Sequence, residues 1–206
     1  MRRASLILFF GVLLSTPLFA DDLNPPPWLR GDVGTTYERW EFSNAANPAA
    51  PGIYYNPNGQ PLASILGGGT WSLFSDGRFG VWDVSVSATM TLDVPNYPPP
   101  NQRKEVWLQL TWESPGGVPP SVLVNGTPGS IIEDDLVGPG GFAWHHTTYG
   151  LTLYPNPPSE VVQIFGPAKI DEVVLDTWCI PEPRTWGLVV LGCGCLAVRQ
   201  WRRRGE

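Results

Sequence analysis

The sequence predicts an all-β chain: an antiparallel β-sandwich, jelly-roll-like, with an N-terminal signal peptide and a single membrane-length helix at the C-terminus. Three observations carry the sandwich. Short runs that alternate apolar and polar residues recur between residues 37 and 178. Gly and Pro, 23 each in 206 residues, fall between those runs rather than inside them. No stretch of this region keeps a helical period. A fixed-length repeat is also missing from the sequence, which argues against a propeller or a solenoid.

Residues 21–36 are rich in Pro and Gly, with Pro25, Pro26, Pro27 and Gly31, and are expected to form a loosely ordered lead-in. The first strand is expected at 37–42, with Glu38, Trp40 and Phe42 on one face and Tyr37, Arg39 and Glu41 on the other. A short extended piece, 52–55, runs into the turn residues Asn56-Pro57-Asn58-Gly59. Strands at 70–74 and 79–82 flank Asp76-Gly77 and are expected to pair as a hairpin. The stretch 83–93 is the longest strict alternation, with Val84, Val86, Ala88, Met90 and Leu92 on one face, and is expected to be one half-buried strand. Pro95 to Pro100 must interrupt the sheet. The next strand, 104–113, sets Val106, Leu108, Leu110 and Trp112 on one face and Glu105, Trp107, Gln109 and Thr111 on the other. Ser121 to Val124 leads into the turn Asn125-Gly126. A further alternating run covers 143–154, and two closing strands cover 160–165 and 169–178. Parity slips in the last of these, which predicts a bulge near Glu172.

Both ends of the chain carry export signals. Met1-Arg2-Arg3, an apolar core from Leu6 to Leu14 and a small residue at Ala20 match a secretory signal peptide over residues 1–20. At the other end, residues 179–206 place Pro181-Glu182-Pro183 before an uncharged apolar run, Trp186 to Val198, followed by Arg199, Arg202, Arg203 and Arg204. That run is short for a membrane span, which needs about 20 residues. Trp186 and Trp201 at its ends suit the interface, and the arginines favour the cytoplasmic side.

Motif, apolar segment and arginine cluster, in that order and at the terminus, resemble the PEP-CTERM sorting signal of Gram-negative bacteria. The resemblance covers only this tail. It implies that an exosortase, a membrane-embedded cysteine transpeptidase, recognises Pro181, Glu182 and Pro183 together with Arg202, Arg203 and Arg204. It also implies an inner-membrane intermediate, cleavage near the motif, and delivery of the rest to the cell envelope, cell surface or extracellular matrix, where exopolysaccharide is an implied associate.

Between the signals the charge is strongly acidic. Six basic and 17 acidic residues remain, a net charge near −11. Nucleic acid is a poor partner for such a surface, because binding it requires Lys and Arg to neutralise phosphate. Of three cysteines, Cys193 and Cys195 fall in the apolar tail, so the domain has no internal disulfide framework and must be held by its core.

Candidate chemistry is sparse. Trp107 and Trp144 are the candidate ligand platforms among ten tryptophans, because exposed indoles stack on sugar faces and Trp107 shares its face with Glu105 and Gln109. Glu133, Asp134 and Asp135 are weak calcium candidates, set in what composition marks as an acidic turn. His145 and His146 point to opposite faces of a strand and cannot share one metal in the usual way. No nucleophile elbow or Cys–His pair is present in the domain, and Glu105 and Glu113, about 26 Å apart on one strand, cannot be a glycosidase pair. The sequence thus predicts a non-enzymatic envelope or matrix protein with no cofactor. A carbohydrate-binding module and, behind it, a secreted glycan-active enzyme are the alternatives.

Overall fold

The computed structural model describes residues 22–96, 103–138 and 141–180. Thirteen strands follow one another: β1 (Thr35–Trp40), β2 (Ile53–Tyr55), β3 (Leu62–Leu66), β4 (Thr70–Ser75), β5 (Arg78–Val84), β6 (Thr89–Pro95), β7 (Arg103–Glu113), β8 (Ser121–Val124), β9 (Thr127–Pro128), β10 (Ser130–Leu136), β11 (His145–Leu153), β12 (Ser159–Phe165) and β13 (Ala168–Ile180). A short 3₁₀ turn, Pro115–Gly117, follows β7.

The strands form two antiparallel sheets. The larger has eight strands in the order β10-β11-β7-β13-β1-β2, with β5 also paired to β13 and β4 to β5. The smaller has five, β3-β6-β12-β8-β9. The chain changes sheet repeatedly: β1, β7, β11 and β13 belong to the first, and β6, β8 and β12 to the second. Strand alternation explains the core between them. Trp40, Val106, Leu108, Leu110, Trp112, Val173 and Leu175 face inward from the large sheet. They meet Ile65, Met90, Leu92, Val122, Val124, Val162 and Ile164 from the small one. Each such side chain contributes about 1.5–3 kcal/mol on burial, which suits a domain without disulfides.

The turns form as their residues demand. Asp76 and Gly77 adopt φ of 50° and 85°, and Asn125 and Gly126 adopt 49° and 78°. Two positive values in succession match the twist of a two-residue hairpin, and Ser75 pairs with Arg78 across the first. The expected irregularity in the last strand is present: its register against β7 shifts between Ile170 and Glu172.

Four expectations need correction. The alternating stretch 83–93 is two strands, not one. Residues 85–88 make a turn, closed by the Ala88 amide on the Ser85 carbonyl at 2.9 Å, and β5 and β6 lie in opposite sheets. Parity survives the crossing because both sheets turn inward on one core. Only Val86, at the turn, is thrown out, 79% exposed. Second, β3 adds a strand that the sequence reading leaves unassigned: its Ala63 and Ile65 enter the core. Third, the lead-in is not loose. Thr35 and Thr36 already belong to β1, and residues from Asp22 to Arg30 bond to the outer face of the large sheet. Fourth, Glu133, Asp134 and Asp135 sit on the edge strand β10, not in a turn.

Candidate functional site

The outer face of the large sheet gathers most of the polar and aromatic side chains that the core does not use. Register places Trp107 beside Asp176 of β13 and Gly150 of β11. Asp176 in turn lies beside Tyr37 of β1, and Trp178 beside Glu105. The lead-in crosses this surface. Its Trp28 stands edge-on to Trp107, with ring centroids 6.4 Å apart, and tilted against Trp178 at 5.8 Å. All three indoles are half-buried, so they form one aromatic cluster with part of its surface in water. The Trp107 Nε1 donates to the Asn24 carbonyl at 2.8 Å, which fixes its ring.

Beside the indoles lies a charged knot. Arg30 donates from Nε and Nη2 to the two Asp176 oxygens at 2.6 and 2.7 Å, and from Nη2 to Asp22 at 2.9 Å. A further ion pair joins its Nη1 to Asp22. The guanidinium also lies 4.1 Å from the Tyr37 ring centroid. Burial pushes the Asp176 carboxyl up to about 6, against the pull of Arg30. Burial acts on Asp22 too, but the hydrogen bonds from Arg30 and Gln109 outweigh it and hold that carboxyl below its ordinary value. Arg39 extends the charged strip, 2.8 Å from Glu172.

From Asp22 a polar chain continues inward. Gln109 Nε2 donates to Asp22 at 2.9 Å, and Gln109 Oε1 accepts from the Asn24 amide at 2.9 Å. The same Oε1 lies 3.0 Å from His146 Nε2, and Thr111 Oγ1 lies 3.0 Å from His146 Nδ1. The Gln109 amide oxygen can only accept, so Nε2 donates to it, and in that tautomer Nδ1 accepts from the Thr111 hydroxyl.

The sequence candidates fare differently. Trp107 stands within the aromatic cluster. Trp144 does not: it is fully buried, its Nε1 donates to the Asp76 carbonyl at 2.9 Å, and Arg78 lies over its ring. It therefore cannot stack on a sugar and is withdrawn as a platform; it ties the β4–β5 turn to the sheet instead. His145 and His146 do face opposite ways, the first stacked on Trp112 at 4.7 Å. Along the β10 edge the Asp134 carboxylate is engaged by Thr147 Oγ1 and by His145 Nδ1, the latter at 3.1 Å. Strand alternation turns its neighbours Glu133 and Asp135 to the other face, so the three do not converge as a calcium loop would require. Among the described residues no group of three or more His, Cys, Asp and Glu is placed to hold a metal ion. The tail residues Pro181, Glu182, Pro183, Arg202, Arg203 and Arg204 lie outside the described residues. No described helix is long and apolar enough to cross a membrane.

Sequence reasoning missed Trp28, Arg30 and Trp178 as site residues and weighed Asp176 only as a further acidic candidate for calcium. Trp178 lies beyond the bulge at Asp171, which sets the phase that turns it outward.

A second cluster lies inside the sandwich, at the end where β7, β12 and β13 meet. Lys104 and Glu160 are both fully buried and 2.8 Å apart. Glu38 accepts from Asn56 Nδ2 at 3.0 Å and lies 3.4 Å from Thr36 Oγ1. Burial pushes the Glu38 carboxyl up to about 8 and also raises Glu160. Its signal was present in the sequence: Glu38 shares a face with Trp40, Lys104 with Val106, and Glu160 with Val162.

No family model matches this chain, and no curated protein matches it. Among solved structures, an exo-β-1,3-galactanase from Phanerochaete chrysosporium with bound β-1,3-galactotriose is 19% identical over 60% of this chain, with a TM-score of 0.38. The chain spans 30% of that enzyme's length. At that level the likeness says nothing about what this chain does.

Proposed function

We propose that this protein is an exported, non-enzymatic envelope or matrix protein that holds polysaccharide on the outer face of its large sheet. The observation that carries this reading is the half-exposed cluster of Trp28, Trp107 and Trp178 beside the Arg30–Asp22–Asp176 knot. Indole faces take the apolar side of a sugar ring, and fixed polar groups alongside take its hydroxyls. What favours binding over catalysis is that Asp22, Asp176 and Glu172 are each committed to an arginine. The order in which the chain visits its two sheets supports the jelly-roll wiring expected of it. Export rests on the signal-peptide pattern and the tail of residues 179–206, and an exosortase-type enzyme is the proposed processing partner.

Glycan arrays with the purified protein test the binding. Wild type is expected to retain a polysaccharide ligand, and Trp178→Ala to weaken it about tenfold, the cost of one lost stacking contact of ~1.4 kcal/mol. Equal binding by that variant, or no glycan bound by wild type, overturns the site. Intact mass from the native host tests the sorting: a chain that keeps residues 186–206 in every fraction is a plain membrane-tethered protein.

A further inference from the structure

Lysine is almost never fully buried unless it is paired, and burying the pair is costly. Lys104 is fully buried and has two neighbours, not one. Its Nζ lies 2.8 Å from Glu160 Oε1 and donates to Asn96 Oδ1 at 3.1 Å. The Asn96 amide is held in one orientation, because its Nδ2 donates to Asn156 Oδ1 at 2.7 Å and to the Pro157 carbonyl at 2.6 Å. The carbonyl end must therefore face Lys104. The Cys179 thiol, 3.8 Å from the same oxygen, is a second, weaker donor to it. Besides the ion pair with Lys104, the Glu160 carboxylate is engaged only by its own backbone. An amine, a polarised amide and a carboxylate thus stand together in an enclosed site.

We propose that Lys104 and Asn96 join through an intramolecular amide bond, with Glu160 as the proton carrier. Burial disfavours the separated charges, so the ammonium proton passes from Nζ to Glu160 and leaves a neutral amine. The Nζ lone pair then attacks Asn96 Cγ, which lies about 1.2 Å behind the oxygen that Lys104 already touches. The carbonyl electrons move to Oδ1, where the Cys179 thiol donates. Glu160 gives its proton to Nδ2 and takes one of the two left on Nζ, so the new amide keeps a single N–H. The Cγ–Nδ2 bond breaks, the carbonyl re-forms, and ammonia departs. One C–N bond forms, one breaks, and nothing is oxidised or reduced. Fixed geometry replaces a bimolecular encounter, and the amine and the proton carrier are both fully buried. The product ties the end of β6 to the start of β7, at the end of the sandwich from which β13 leads into residues 179–206.

Mass spectrometry on the purified full chain, held near neutral pH, tests this. The expected product is lighter than its sequence by one ammonia. Trypsin cuts after Arg103 and Lys104, so an unlinked chain releases Phe79–Arg103 and Glu105–Lys169 as separate peptides. In the linked chain cleavage after Lys104 is blocked, and Phe79–Arg103 stays joined to Lys104–Lys169. Glu160→Gln keeps the side-chain shape but cannot carry the protons, and is expected to run at its full sequence mass with the two peptides apart. A wild-type chain at full mass that releases Phe79–Arg103 overturns the proposal, whatever the variant does. So does an ammonia deficit that maps to another peptide, such as the ones holding Asn58-Gly59 or Asn125-Gly126.

Discussion

The two charged clusters have the same composition, one cation between two carboxylates, and opposite outcomes. On the outer face Arg30 reaches both Asp22 and Asp176 with its forked guanidinium. Water reaches it too, since its side chain is 28% exposed. Inside the sandwich Glu160 is the one carboxylate that Lys104 touches, and both side chains are fully buried. Glu38 there feels Lys104 through the field alone, accepts from the neutral Asn56, and is pushed by burial to about 8. Asp176, also raised by burial, stops near 6 because Arg30 donates to it directly. A point charge reaches one carboxylate in the dry site, whereas a fork at the wet edge reaches two.

The largest effect expected from this difference is at Glu160. Glu160→Leu leaves the Lys104 ammonium enclosed without its anion, and is expected to cost about 3–5 kcal/mol in urea unfolding. A loss under 1 kcal/mol would mean that water enters this end of the sandwich. Next is Glu38, through pH. Its folded value of about 8 lies above its ordinary 4.5, so the folded state keeps a proton that the unfolded state gives up. This contribution is fully present below pH 4.5 and is lost as pH rises through 8. Glu38→Gln, which mimics the protonated form, is expected to gain about 3 kcal/mol on wild type at pH 9 and almost nothing at pH 4. A difference that does not change with pH would show that Glu38 is already ionised in the fold. The smallest effect is at the wet cluster. Arg30→Met is expected to cost about 1–2 kcal/mol, discounted for its exposure, and to depend on salt. A cost matching that of Glu160→Leu would erase the distinction between the two.

Much of this was legible in the sequence, and the places where it was not share a cause. Alternation correctly separated the two faces of β1 and β7, because a strand's period of two is local. The same alternation puts Glu38, Lys104 and Glu160 on apolar faces, a signal that the sequence reading did not use and that does not make them neighbours. It failed at Val86, where a turn between sheets preserves parity; Trp178 lies beyond a bulge that resets it. It failed again at Trp28, because Pro25-Pro26-Pro27 suggests slack chain unless one knows that Gln109, Thr148 and Asp176 wait beneath it.

The sequence by itself determined the all-β class, the inward faces, the two-residue turns at Asp76-Gly77 and Asn125-Gly126, and the expectation of export at both ends. These follow from side-chain periodicity, the φ preferences of single residues and short linear signals, all of which act within a few positions. Only the tertiary structure decided which strands share a sheet, that Trp144 is sealed while Trp28 and Trp178 join Trp107, and that Lys104 meets both Asn96 and Glu160. Those outcomes depend on contacts between residues tens of positions apart, whose pairing is set by how two twisted sheets close on one core.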